Sequence, residues 1–393
     1  EVVMIDLFQK RSNHVVFINS PPYKRASAGV TVLHILCDYL NRSGVTAYMV
    51  PDHQYFGKLG YTDSHSHNGL ITPMISRREL VRLDNDRTNI PVMVYPKTVD
   101  GNPFKIKNII RYSLYYDGGL THSENQLDYD RCDVGIICYS ADIFRSLQDR
   151  CPKAKFTSRV SIPVCNRVDM QKFISTEKEG AYYYAEKHIH VFGKDVPKEI
   201  ASSCTRITRD GYDSPTSEEL YQILGKAKIL HAFEESAIIY EALLAGCVVN
   251  LHPAGSFKEP GKTLTEDELG LAGTISQQAP TEQDIENAQL EIPTHIDNYN
   301  KWVSDAGVDI EQLVEDLGCL TQTDHDDFYQ ELWKNVRLCN RYEFYRKIDV
   351  EKKISYKVVK ACASIFPLII RKKIRRGYRD FYNSLPAVMK RIL

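Results

Sequence analysis

Between residues 233 and 253 the chain reads FEESAIIYEALLAGCVVNLHP, an apolar stretch that keeps Glu234, Glu235, Ser236, Glu241 and His252. The pattern fits a strand ending at Phe233, a loop of Glu234 and Glu235, and a helix opened by Ser236 that feeds a second strand. A helix start presents free N–H groups and the positive end of a dipole, a setting for phosphate rather than for two carboxylates. The site therefore expects a ligand that is more than phosphate. Glu241 follows Ser236 by five residues, about 7.5 Å along a helix axis. That reach separates the phosphate of a nucleotide from its ribose, whose paired hydroxyls one carboxylate accepts bidentately. Ser236 serves phosphate, caps its helix, or does both. Arg209, in TRITRDG (205–211), meets a diphosphate, a base, or only solvent.

These groups need a scaffold that brings strand ends together. HVVFINS (14–20), VTAYMVP (45–51), IPVMVYP (90–96) and DVGIICYS (133–140) read as buried strands, and AGVTVLHILCDYLNRSG (28–44) as a helix closed by Gly44. NPFKIKNIIRYSLYY (102–116) is expected to be a helix with Asn102 as its cap and Pro103 at its first position. The pattern restarts at AYYYAEKHIHVFG (181–193) and TRITRDG, read as strands with their loops. TSEELYQILGKA (216–227) follows as a helix opened by Thr216 with Glu219 at capping-box spacing. KILHAF (228–233), the helix from Ser236 and CVVNLHP (247–253) complete a second βαβ unit, and residues 281–347 read as helical. Such succession demands parallel sheets with right-handed crossovers. The expected fold is α/β, two Rossmann-like domains facing across a cleft with a basic helical C-terminal tail. The domains are expected at 1–170 and 171–325, with a helix at 326–350 returning to the first and the tail at 351–393. In such sheets ligands bind outside the carboxyl ends of the strands, which puts loops of both halves into one cleft.

Bulk composition narrows the class. A chain of 393 residues exceeds one ordinary core, and 43% apolar with 26% charged residues is the make-up of a globular protein rather than of a disordered chain or fibre. No run of about 18 uncharged apolar residues predicts a spanning helix. The first residues carry no export pattern, so the expectation is the cytoplasm. The ten cysteines stand singly, without C-x-x-C or metal-ligand spacing, and read as small reduced hydrophobes. The net charge of −1 hides an asymmetry: residues 351–393 hold 12 Lys/Arg against 2 Asp/Glu, leaving the tail at +10 and the rest at −11. Such a tail seeks an anionic surface.

ESAIIYEALLAGCVV resembles the donor-site helix of GT-B nucleotide-sugar glycosyltransferases. VMVYPKTVDGNPFKIKNIIRY (92–112), DVGIICYS, AYYYAEKH and TRITRDG accompany it in the order found in bacterial polysaccharide and O-antigen transferases, over roughly residues 90–250. The resemblance implies a donor nucleotide held mostly by the second half, an acceptor held mostly by the first, and transfer without an obligatory metal or cofactor. It assigns Lys187 to the donor diphosphate, with Lys194 as a weaker substitute, and Glu234 to the sugar. Enzymes of this type often place two glutamates with seven residues between them around the helix. Here Phe233 occupies the place of the first, and Glu234 stands one position later. In SPPYKRASAGV the resemblance sets Gly29 near the transferred sugar and Ser27, with Asn102, toward the acceptor; the loop lacks G-x-G-x-x-G, so dinucleotide binding is disfavoured.

A glycosyl transfer needs the leaving phosphate stabilised and an acceptor hydroxyl activated. For the base, His34, Asp100 and Asp117 are candidates by sequence position. The dipeptide His252-Pro253 is also similar to one that Kdo- and sialyl-transferases set against a CMP donor, which makes a CMP-sugar the alternative donor. Asp84-Asn85-Asp86 and Asp128-Tyr129-Asp130 lack the preceding apolar strand that a metal-bridging Asp-x-Asp needs, so no metal ligand is named. The tail mixes Ile, Phe, Leu and Tyr with basic clusters, the composition of an interfacial helix on anionic lipid. The expectation is a peripheral enzyme on the inner face of the cell membrane, acting on a glycan or glycolipid and not on nucleic acid. Its rival is a noncatalytic nucleotide- or sugar-binding protein of the same two-lobed form.

Overall fold

The computed structural model describes residues 12–21, 23, 27–50, 69–86, 88–115, 134–165, 171–209, 214–253, 263–322 and 327–338. The first lobe runs β1 (His14–Asn19), α1 (Ala28–Arg42), β2 (Thr46–Val50), α2 (Arg77–Asn85), β3 (Ile90–Pro96), β4 (Ile109–Ser113), β5 (Val134–Cys138), α3 (Ala141–Gln148) and β6 (Phe156–Arg159). Its six strands lie in the order β2-β1-β3-β4-β5-β6, every pair parallel. Strands such as VVFI and VMVY are buried on both faces, as a parallel sheet sandwiched between helices requires.

The second lobe runs β7 (Ala181–Tyr184), α4 (Glu186–His190), α5 (Lys198–Ser203), β8 (Thr205–Arg206), α6 (Ser217–Lys226), β9 (Ile229–Ala232), α7 (Ile238–Leu244), β10 (Val248–Leu251), α8 (Glu266–Leu269) and β11 (Thr274–Ile275). Its parallel sheet has the order β11-β10-β9-β7-β8. From β7 the chain steps outward to β8, then crosses back to β9 on the other side. The order therefore reverses between β7 and β9, and a crevice opens outside their carboxyl ends. The capping box of Thr216 and Glu219 opens α6 as its spacing predicts.

A single long helix joins the lobes. α9 (Glu282–Asp316) buries Ile285, Ala288 and Ile292 against Ile229, Val248 and Ile275 of the second lobe. Farther along, its Trp302 indole donates to Ser161 Oγ at 2.9 Å, and Asp309 accepts from Arg159 at 3.0 Å and from the Ser161 amide at 3.0 Å. Beyond it, the Thr321 carbonyl accepts from Asn108, and a helix over 327–338, α10, sets Phe328 edge-on to Phe17. The chain has thus already returned to the first lobe within α9.

Residues 102–115 depart from the helix expected over 102–116. Asn102 caps no helix; it closes a turn in which its amide donates to the Ile106 carbonyl at 2.7 Å and its oxygen accepts from Tyr95 Oη at 3.0 Å. The β-branched run behind it fills the gap between β3 and β5 as β4. Packing inside a two-sided sheet overrides the local cap-and-proline signal.

Candidate functional site at the carboxyl ends of β7 and β9

β9 delivers Phe233, Glu234, Glu235 and Ser236 to the crevice, and β7 delivers Tyr184 and Lys187. Glu234 is fully buried. One of its oxygens accepts from the backbone N–H groups of Lys187, in a short contact, and of His188 at 3.3 Å, while Oε1 has no hydrogen-bond partner. Burial raises its pKa, with Lys187 pulling the other way. The Lys187 ammonium donates to the Glu235 carbonyl at 3.2 Å and so stands between the two acids. The carboxyl of Glu235 accepts from Tyr240 Oη at 3.0 Å and from the Leu264 amide at 3.1 Å, and burial lifts it to about 7.

Ser236 does not cap the following helix through its side chain. α7 begins at Ile238, and Ser236 contributes its carbonyl to the Ile239 amide at 3.1 Å. Its hydroxyl instead lies near the Tyr184 phenol. Gly246 ends α7 at φ 77°, a left-handed turn that lets the Cys247 amide reach the Ala242 carbonyl at 2.8 Å and start β10.

Glu241 lies on the first turn of α7, only 3% exposed, and faces Arg209 rather than bulk water. Arg209 Nη2 donates to Oε1 at 3.2 Å and Nη1 lies 2.9 Å from Oε2, a fork of two side chains 6% and 5% exposed. The second contact is ionic rather than a well-aligned hydrogen bond. Burial opposes the charge on Arg209, and Glu241 outweighs it, holding the guanidinium protonated. Arg209 is thus neither an exposed strand-end residue nor remote from the helix.

His252 belongs to a buried group at the end of β10. Its Nε2 lies 2.8 Å from His231 Nδ1, and its ring stacks on Phe233 with centroids 4.3 Å apart. The Asn250 amide nitrogen stands within reach of both rings, at 3.4 and 3.2 Å. Burial and the neighbouring His231 push His252 down to about 4, so both rings are neutral and share one proton between facing nitrogens.

The first lobe contributes less. Ser27 precedes α1 without a side-chain cap bond, and Gly29 sits in its first turn with Leu114 3.4 Å from where a Cβ would be. His34 is buried at 3% and donates from Nε2 to the Pro21 carbonyl at 3.2 Å, bracing the loop after β1. Asn102 spends its amide on the turn described above. Asp117 lies outside the described residues. Among the described residues no group of three or more His, Cys, Asp or Glu could hold a metal ion. Tyr184, Tyr240, Thr265 and His231 were not singled out in sequence; all but Thr265 lie in stretches read as strand or helix.

The lobes meet beside these acids. Tyr139, just past β5, packs edge-on to Trp302, which also meets Tyr240 and Tyr299. The Glu268 carboxylate accepts from the Ala141 amide at the start of α3 at 2.7 Å.

No protein-family model and no curated protein matches the chain in sequence. Solved structures are similar to it in architecture. UGT71G1 of Medicago truncatula, complexed with UDP-glucose, shares 11% identity over 77% of this chain and 98% of its own, with a TM-score of 0.39. An alpha-glucosyltransferase in complex with UDP and a 13-mer DNA shares 11% over 82% and 99%, with a TM-score of 0.37. Alr3699/HepE of Anabaena, in complex with UDP and glucose, shares 10% over 82% and 99%, at 0.34. The likeness is one of fold.

Proposed function

We propose that the chain is a GT-B glycosyltransferase that moves a sugar from a nucleoside-diphosphate donor to a hydroxyl acceptor, without an obligatory metal. The observation that carries this reading is the placement of Arg209, Lys187, Glu234, Ser236 and Glu241 together at the β7/β9 reversal, where a parallel sheet binds its ligand. Arg209 and Lys187 supply charge for the diphosphate as it leaves, and Glu234 lies closest to the donor sugar. Glu241 is assigned to the ribose, with Arg209 fixing the position of its carboxylate. The first-lobe residues Ser27, Gly29 and His34 border the acceptor side, with Asp117 as a further base candidate. The buried ring of His252 gives a CMP donor no exposed imidazole to approach, which favours the diphosphate donor. A surface-glycan acceptor, lipid-linked and reached by docking the basic tail on the inner face of the membrane, completes the proposal.

Incubation of the full chain with radiolabelled UDP-, GDP-, dTDP- and CMP-sugars tests it. Turnover of a diphosphate sugar that persists in EDTA is expected. Turnover of CMP-sugars alone, a strict need for Mn²⁺ or Mg²⁺, or no turnover and no binding would overturn it.

A further inference from the structure

At the outer edge of the first lobe a groove of about 500 Å³ opens along β6, between α3 and the last turns of α9. Its volume is that of a small-ligand site. β6 ends the sheet, with β3, β4 and β5 between it and β1, so the groove lies apart from the loop that Gly29 and His34 border. Because the strands are parallel, it runs from the cleft rim downward. Ala141 at the start of α3, and Arg159 with Asp309, mark the rim end; Phe156 at the start of β6, and Asp316 seven residues beyond Asp309, mark the far end. That separation is about 10 Å along α9. At the rim the second lobe closes in: the Ala141 amide donates to Glu268, and Arg145 pairs with Asp267 of α8 in a short contact. The groove thus opens beside the cleft.

Its lining mixes rings with planar polar groups. Phe144 and Phe156 are half-buried, and the Phe156 ring fills the space over β5 that Gly135 leaves bare. Both arginines are already matched to carboxylates. Arg159 donates from Nη2 and Nε to Asp309 at 3.0 and 3.2 Å, and Arg145 lies 3.5 Å from Asp142 besides its contact with Asp267. Asp316 accepts from Ser158 in a short contact and from Gln312 Nε2 at 3.1 Å. Polar capacity is left over after these bonds. Among the described residues no hydrogen bond engages Arg159 Nη1, the Gln312 amide oxygen or the Thr157 hydroxyl, and the Arg159 side chain is 37% exposed. A polyanion needs unmatched cations, which these arginines do not supply. A pyranose instead presents an apolar C–H face and an edge of hydroxyls that both donate and accept; aromatic rings suit the first, and amide, guanidinium and hydroxyl groups the second. We propose that the β6 groove binds an uncharged oligosaccharide, the part of an acceptor glycan that trails away from the reacting hydroxyl. The inference rests on the glycosyltransferase reading above and deepens its acceptor side.

An array of neutral and acidic bacterial surface oligosaccharides, probed with the labelled full chain in the absence of nucleotide, tests it. The expected result is retention of neutral oligosaccharides that survives high salt. Phe144→Ala and Gln312→Ala should each weaken that binding about 3- to 10-fold, the worth of one ring contact or one hydrogen bond. Val308 lines the groove at 68% exposure, so Val308→Arg should obstruct it without touching the core, and this variant decides the matter should Phe144→Ala fail to fold. No neutral glycan retained, retention of acidic glycans alone that high salt abolishes, or equal retention by the native chain and the folded variants would overturn the groove. Binding of UDP-glucose, GDP-mannose and dTDP-glucose to the native chain, measured alongside, keeps the two readings apart. Nucleotide-sugar binding with no glycan retained would strike the groove and leave the donor reading standing, whereas absence of binding by all three sugars would overturn the donor reading itself.

Discussion

At the scale of single residues the pair of Arg209 and Glu241 decides most. Two charged side chains sealed from water cost more to separate than to remove together, because an unpartnered buried charge keeps its desolvation penalty. Glu241→Ala should lower stability by about 3–5 kcal/mol in urea unfolding, and adding Arg209→Met should recover part of the loss. Losses that add in full would mean the fork does not hold the two together. The histidines set a pH dependence of definite sign. His252 is pushed down to about 4 from an ordinary 6.5, so the unfolded chain takes its proton first as pH falls. The stability it contributes is complete above about pH 6.5 and is lost progressively toward pH 4, about 3.5 kcal/mol for that ring at about 1.4 kcal/mol per unit. His252→Phe keeps the stack on Phe233 and removes the titration. It should therefore flatten the stability profile between pH 7 and 5, and an unaltered slope would contradict the neutral pair.

At the scale of elements, strands and helices with a strong local signature were legible in the sequence. HVVFIN could only be a strand buried on both faces, and Thr216 with Glu219 fixed the start of α6 before any packing was known. β4 was not legible, because Asn102-Pro103 imitates a helix start while the deciding contacts come from β3 and β5. The start of α7 lies at Ile238 rather than Ser236, with Ala237 at the cap position and no side-chain cap bond. Of the residues named in sequence, Ser236 and Glu241 were singled out by type and position and Glu234 and Lys187 by the resemblance, and the structure brings all four to the ends of β7 and β9. The fork of Glu241 to Arg209 spans 32 residues and the His231–His252 pair 21, and such pairings have no spacing signature. One close approach tests the element packing. At Gly225, on α6, a Cβ would lie 1.8 Å from the Phe173 carbonyl oxygen, so backbone must shift to admit it. Gly225→Ala should cost about 1–3 kcal/mol or more in thermal unfolding, whereas a neutral effect would place residues 171–173 elsewhere.

At the scale of the whole molecule, α9 is the brace that turns two sheets into one cleft. Its first turns belong to the second lobe and its last turns to the first, with Trp302 between Tyr139 and Tyr240. Among the described residues no helix is long and apolar enough to cross a membrane. The +10 tail at 351–393 lies outside the described residues, and its proposed role is to carry the cleft to anionic lipid. Liposomes of phosphatidylglycerol should pellet the intact chain and release a chain ended at residue 350, with the difference abolished by high salt. Equal pelleting would remove the membrane from the account. The central claim, a diphosphate held between β7 and β9, is tested most directly by equilibrium binding of nucleotide sugars to the native chain and to Arg209→Met in parallel. The account predicts saturable binding to the native chain, weakened about 10- to 100-fold by the substitution, as loss of a charge-assisted hydrogen bond requires. Equal affinity in a folded Arg209→Met protein would contradict it.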